Sequence, residues 1–327
     1  MSLDIIDRKL LNLVQYDFPL LREPYAFLGK ELGVSEDEVI QRIGRLKTEG
    51  IIRSISAIYN AAGLGYHSTL VAMHLDEAQV DKAAAFINSH MEVSHNYLRD
   101  NYMNLWFTLT TTREKDLEET AAKLGESVGA EVTLSLPIVR PFKINVCFDM
   151  LDQQDEPDNG DVIHLQRMEG DNLTEDDIAL VRELQRDLPL ESRPFNTMAD
   201  NLGLELDDFL HKAASFKERG IMRRYGARLD HYQVGIVANA LSCWLVPPER
   251  MIQVGNLIAA HRKVSHCYER QTAPQWPYNL YAMIHGYTEE ESRSVALQLS
   301  EETGISDFVL LRSTKEYLKR RIRYFTG

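Results

Sequence analysis

One phrase occurs twice in this chain. Val93, Ser94, His95, Tyr97 and Arg99 return as Val264, Ser265, His266, Tyr268 and Arg270. Asn104-Leu105-Trp106 returns as Asn279-Leu280-Tyr281, behind an insertion that carries Pro274, Trp276 and Pro277. A constant shift through the earlier part of each half pairs Pro19 with Pro189, Pro24 with Pro194, Gly33 with Gly203, Gly50 with Gly220 and Gly65 with Gly235. The chain is therefore an internal duplication, and any fold assigned to one half must serve the other. Side chains alternate between the faces of a strand, so each copy of the phrase sets His, Tyr and Arg in a row on one face. That face offers an acid/base, a phenol and a fixed cation.

Within the first half, Ile6, Leu10, Leu13 and Val14 follow helical spacing, and Pro24 opens a second helix at its first turn. Leu32-Gly33 makes a turn. Ser35 and Glu38 form a capping box for a third helix in which Val39, Ile43 and Leu46 share a face, and Gly50 ends it. A strand over Ile51 to Ala57 follows. Three helices with a tight turn before the third, then a strand, describe a winged helix-turn-helix over residues 1–62, repeated from Thr174 to Ala227 within 173–232. After it come Ser68 to Leu75, Ala78 to Ser89, Val93 to Arg99, Met103 to Leu109, Glu114 to Ser127 and Glu131 to Arg140, read as strand, helix, strand, strand, helix, strand. This order gives a ferredoxin-like sandwich over 63–150, with its counterpart over 233–327. The fold class is α+β, a tandem repeat of the two modules. Between the halves, Asp152 to Gly170 is polar and poor in large apolar groups, so 151–172 reads as an exposed acidic linker.

With 327 residues, 44% of them hydrophobic, the chain can build more than one core. No apolar run of about 18 residues occurs, and Met1-Ser2-Leu3-Asp4 does not resemble a signal peptide, so a soluble cytoplasmic protein is expected, with no membrane partner. Cys147, Cys243 and Cys267 are far apart and read as reduced, structural thiols. A net charge of −13 argues against coating nucleic acid. The third helix, which would read DNA, starts with Glu36, Asp37 and Glu38, and its counterpart carries Glu205, Asp207 and Asp208. Carboxylates there suit the helix dipole and repel phosphate, so DNA is not the expected partner. Basic residues concentrate instead at Lys315, Lys319, Arg320, Arg321 and Arg323, either a local patch or a solvated final element, and at Arg53, Arg223, Arg224, Arg99, Arg270, Arg140 and Arg312. Arginine pairs with carboxylates in two-pronged fashion, so this supply fits a polyanion other than DNA.

A winged helix-turn-helix followed by a ferredoxin-like domain resembles the AsnC/Lrp regulators. The strings VSHNYLRDNYMNLWFTL (93–109), VSHCYERQTAPQWPYNLYAMIHG (264–286) and IMRRYGARLDHYQVGIVANALSCWLVP (221–247) resemble more specifically the siroheme decarboxylases of the Ahb and Nir type. The resemblance spans nearly the whole chain, which is similar to two subunits of that family fused head to tail. It implies removal of carbon dioxide from the acetates on carbons 12 and 18 of siroheme, in haem d1 or alternative haem biosynthesis. It implies no cofactor beyond the iron of the tetrapyrrole itself, and a pairing of the halves as a pseudo-dimer that associates with a further copy or with related decarboxylase subunits.

On that resemblance His266 leads, as proton donor or as axial ligand of the substrate iron, and imidazole suits both. Tyr268 would orient or relay. Arg270, Arg223 and Arg224 would bind carboxylates, Trp276 and Tyr278 would wall the macrocycle, and Asn279 and His231 are further binding candidates. Trp276 and Tyr278 have a competing reading as hairpin packing, His231 one as a surface histidine, and His285 is a weaker candidate. The first half offers Arg53, His95, Tyr97 and Arg99. It departs from the family pattern at Asn101 and Met103 and reduces the arginine pair to Arg53-Ser54, so the dominant site is expected in the second half. Two other readings compete: an AsnC/Lrp-type transcriptional regulator, and a tetrapyrrole-binding protein without turnover.

Overall fold

The computed structural model describes residues 3–144, 150–151, 173–230 and 238–326. All but Leu151 of the acidic linker lies outside the described residues, as do Cys147 and His231.

The first half opens with α1 (Ile5–Tyr16), α2 (Pro24–Leu32) and α3 (Glu36–Thr48), with Pro24 in the first turn of α2. Ser35 Oγ accepts from the Glu38 amide and caps α3 as its sequence requires. The Glu38 carboxylate does not complete the box, because it accepts from Arg42 one turn along. Gly50, at φ 76°, then takes the left-handed conformation that releases the chain. The strand that follows, β1 (Ile52–Tyr59), does not fold back as a wing of its own half. Its partner is β6 (Met222–Leu229), the matching strand of the second half, which follows α6 (Glu175–Leu184), α7 (Pro194–Asn201) and α8 (Leu206–Glu218). The antiparallel ribbon joins both helix trios around one core, in which Leu10, Tyr25 and Ile43 meet Phe195, Phe209 and Phe216.

The remaining strands are β2 (Tyr66–His74), β3 (Val93–Arg99), β4 (Leu105–Thr112) and β5 (Val132–Ile144) in the first half. The second half supplies β7 (Ala238–Trp244), β8 (Val264–Arg270), β9 (Leu280–Gly286) and β10 (Phe308–Lys319). With α4 (Glu77–Asn88) and α5 (Leu117–Val128), and with α9 (Met251–Ala260) and α10 (Glu289–Thr303), each set follows the expected order. The two sheets are not separate. β5 runs past Arg140, so its first part pairs with β2 and its last with β8, while β10 pairs first with β7 and then with β3. Eight strands close into a barrel, which leaves neither sheet an open edge. The helices cover the outside over two apolar cores, and a third core fills the inside, where Trp106 meets Trp276 at 5.3 Å between ring centroids. Cys243 and Cys267 are buried and unpaired, and burial pushes both thiols well above their ordinary range.

Candidate active site

Four β-bulges in two symmetric pairs shape the space between the ribbon and the barrel. In the ribbon, the register slips by one residue at Arg53 in β1 and again at Arg223 in β6. In the barrel it slips at Ser94, between Val93 and His95, and at Ser265, between Val264 and His266. A bulge adds a residue to one strand and re-aims its side chains. Here the duplicated strands bring an arginine from the ribbon and a histidine from the barrel into one neighbourhood, once in each half.

Both imidazoles are half-buried and held neutral. Burial drives His266 down to about 3, helped by His285, Arg223, His95 and Arg270. Burial drives His95 down to about 4, helped by Lys319, Arg228 and Arg53. His95 thus stands near enough to act on His266, so the two copies of the phrase bring their histidines into one neighbourhood. Each Nδ1 lies 2.8 Å from the hydroxyl of the preceding serine, Ser94 or Ser265. The second half goes further, since Ser265 Oγ also lies 2.6 Å from His285 Nε2, and His285 Nδ1 meets Asn239 Oδ1. By ladder register, the first half has Thr110 where His285 stands and Ser68 where Asn239 stands.

Cations crowd these rings. Arg228 is lowered to about 10 by burial, then by Arg321 and Arg53, and its Nε is buried without a hydrogen-bond partner. Lys319, opposite His95 in the register, is lowered by burial and by Arg53 and Arg228, against the pull of Glu316 and Asp230. Arg53 donates through Nε and Nη2 to Asp230 at 3.1 and 2.6 Å, and Arg223 donates to the Ile144 carbonyl. Arg321, in the tail after β10, reaches Ser56 Oγ and the Ala57 carbonyl of the ribbon. A chain with a net charge of −13 has thus drawn Arg53, Arg223, Arg228 and Lys319 around two neutral imidazoles. Mutual repulsion and burial both raise the cost of that cluster, which an anionic ligand would relieve.

The same cluster lies in a chain whose halves match known proteins throughout. The profile of the AsnC-like ligand binding domain matches residues 63–143 and 233–318, and that of the siroheme decarboxylase NirDL-like helix-turn-helix domain matches 7–53 and 177–223. A siroheme decarboxylase from Hydrogenobacter thermophilus is 38% identical over 97% of this chain and 94% of its own. The chain belongs to the siroheme decarboxylase family. A crystal structure of the siroheme decarboxylase NirDL in complex with an iron-uroporphyrin III analogue has a TM-score of 0.75 and 34% identity, covering 98% of this chain and 95% of that one. A siroheme decarboxylase beta subunit from Methanosarcina barkeri, 39% identical, covers 45% of this chain with 97% of its own length, so relatives of half this length exist as separate subunits.

Against this family background, the expected site residues divide. His266, His95, Arg223 and Arg53 come together as described, with Tyr268 tilted against His266 at 5.9 Å and Tyr97 stacked on His95 at 6.4 Å between centroids. Arg99 and Arg270 have a different task. Each lies over its neighbouring tyrosine, and each donates to a carbonyl of a terminal strand, Arg99 to Leu311 at 3.0 Å and Arg270 to Leu136 at 2.7 Å, where the halves join. Asn279 clamps the backbone of Val246 through both ends of its amide, as Asn104 clamps Leu75, so both are structural. Trp276 and Tyr278 pack in the barrel interior, which supports the hairpin reading over a wall for a ligand. Arg224 is half-buried on β6 opposite Ile58. Arg140 approaches Glu269 at 3.7 Å, and Arg312 pairs with Asp100 and Glu289. Asn101 and Met103 belong to the β3–β4 turn, beyond Arg99, which is four residues or about 13 Å of strand from His95. The halves differ near His266 through His285 and Asn239, a difference that turn does not explain. The sequence reading does not single out Arg228 or Asn239, places Lys319 only in a basic patch and ranks His285 only as a weaker candidate. The basic tail and the repeated Ser before His were the available signals.

Proposed function

We propose that the chain is a carboxy-lyase that converts siroheme to its 12,18-didecarboxy product, releasing two carbon dioxide molecules. The observation that carries this reading is the cluster of half-buried cations around two neutral histidines in an acidic protein. A tetrapyrrole with eight carboxylates supplies the missing anions, and Arg223, Arg228, Arg53 and Lys319 would hold its peripheral groups by charge-assisted hydrogen bonds. An acetate on a pyrrole carbon loses carbon dioxide only when the ring accepts the electron pair of the breaking bond. One proton per acetate then completes the methyl group. His266 stands where an imidazole can serve that chemistry, as proton carrier or as a ligand to the iron that the substrate brings. The relative solved with an iron-uroporphyrin analogue and the separate beta subunit support the same reading: an iron tetrapyrrole as ligand, and two fused halves doing the work of two subunits.

The regulator reading has less support. In the DNA-reading helices and at their ends, Arg42, Arg45 and Lys47 of α3 and Lys212, Lys217 and Arg219 of α8 each meet a carboxylate, the partners being Asp4, Asp7, Glu38, Glu49, Asp187, Asp176, Asp17 and Asp177. These pairs compete with phosphate for every one of those cations. The test is anaerobic incubation with siroheme followed by mass analysis of the product. Loss of two carbon dioxide masses is expected. Stable binding with unchanged mass would favour a non-catalytic carrier, and operator-specific DNA binding at physiological salt would favour the regulator. His266→Ala should lower turnover about 100-fold or more, and His95→Ala less, with the fold retained in both.

A further inference from the structure

The hydrogen bonds behind His266 have a direction. A carbonyl oxygen only accepts, so the contact between Asn239 Oδ1 and His285 places a proton on His285 Nδ1. In the neutral ring Nε2 can then only accept, and its partner is the Ser265 hydroxyl 2.6 Å away. The hydroxyl has one hydrogen, now committed to His285. Its lone pairs remain for His266 Nδ1, 2.8 Å away, which must then be the protonated nitrogen of His266. We propose that Ser265, His285 and Asn239 are positioning residues that hold His266 as the Nδ1–H tautomer, so that Nε2 presents an electron pair to the site.

Among the described residues, nothing in the first half imposes this. Ser94 contacts His95 at the same distance, but with Thr110 and Ser68 in the equivalent places its hydroxyl proton is not committed elsewhere by a second imidazole. Duplication therefore left two histidines of like placement and different tautomeric constraint. For the proposed reaction, on which this consequence rests, an electron pair at Nε2 favours His266 as ligand to the substrate iron, and the proton that replaces each carboxylate then comes from another donor. Partners that orient a metal-binding histidine through its other nitrogen commonly change affinity 10- to 100-fold when removed.

The inference is tested on the full-length, ligand-free protein labelled with 15N-histidine near pH 7, His266 being assigned by its absence in His266→Gln. The expected spectrum shows Nδ1 of His266 protonated and Nε2 bare. His285→Leu and Ser265→Ala break the series from opposite sides and should each release the ring toward the other tautomer. His285→Gln, whose amide oxygen can still accept from Ser265, should keep the wild-type pattern. In titrations with iron uroporphyrin as probe, His285→Leu should weaken a histidine-ligated absorption spectrum at least tenfold and His285→Gln should restore it. A wild-type His266 protonated on Nε2, or a tautomer unchanged in both His285→Leu and Ser265→Ala, would overturn the proposal. The nitrogen spectrum involves no tetrapyrrole, so its outcome is independent of whether siroheme is decarboxylated.

Discussion

At the scale of single residues, the proposed site trades folding stability for a readiness to take up anions. Arg228 shows the trade most directly: its charge is disfavoured by burial and by Arg321 and Arg53, and its Nε is buried without a hydrogen-bond partner. Arg228→Gln should therefore raise the melting temperature of the ligand-free protein while weakening iron-uroporphyrin binding about tenfold, the usual weight of one charge-assisted hydrogen bond. Thermal melts and a binding titration on the same preparation check both signs, and a variant that loses stability as well as affinity would contradict the assignment. The histidines make a pH prediction of definite sign. His266 and His95 titrate near 3 and 4 in the fold, against about 6.5 in an unfolded chain. Above that value neither state is protonated and the two rings add no pH dependence. As pH falls below it, the unfolded chain gains protons that the fold refuses, so stability drops toward pH 4. The double variant His95→Gln/His266→Gln should lose this component. Its denaturation free energy between pH 6 and 4.5 should fall less steeply than the parent's, the gap approaching the slope of two protons.

At the scale of elements, what the sequence displayed and what it hid follow different rules. Helix starts were legible because Pro24 and the Ser35 cap are local chemistry, and the order of strands was legible because each half repeats the other. The reach of β5 was not legible. Pro141 lacks an amide hydrogen and reads as the end of a strand, yet β5 continues to Ile144, with irregular register around Pro141 where it pairs with β8. The bulges at Arg53, Arg223, Ser94 and Ser265 were hidden as well, since a period-two reading assumes that no residue is extra. The row of His, Tyr and Arg keeps its alternation, because the extra residue precedes it, but its arginine reaches a carbonyl of the neighbouring terminal strand. The arginine is the seam of the barrel, while the histidine meets the ribbon cations and Tyr268 also feels Arg223. The repeated asparagine misled in the same way, because repetition marks fold and site alike. Asn279→Ala and Asn104→Ala should each lower unfolding free energy by about 1–3 kcal/mol, through lost partners for Val246 and Leu75, and leave kcat near the parent value. Denaturant titration and initial rates separate these two effects.

At the scale of the whole molecule, the halves are joined by pairing, not merely by the segment between them. Each contributes one strand to the ribbon and four to the barrel, and β5 and β10 each spend part of their length in the partner's sheet. Arg99 and Arg270 bind carbonyls across those seams, and the tail after β10 returns to the ribbon through Arg321. The cationic cluster has the same dependence, for His95 is surrounded by Arg53 of its own half and by Arg228 and Lys319 of the other. A half folded alone would expose two long strand edges and the apolar inner face bearing Trp106 or Trp276, a surface prone to aggregate. The covalent linker should then matter for effective concentration more than for structure. We therefore expect residues 1–150 and 173–327, produced together as separate chains, to assemble into a one-to-one complex that binds iron uroporphyrin. Each produced singly should be insoluble or should self-associate. Co-purification through a tag on one half, followed by mass measurement and a binding titration, checks this. A soluble monomeric half that retains wild-type tetrapyrrole affinity would show that the site does not need both halves. The complex should dissociate on dilution and lose affinity with it, whereas the linked chain should not, because only in the split form is assembly of the cluster bimolecular.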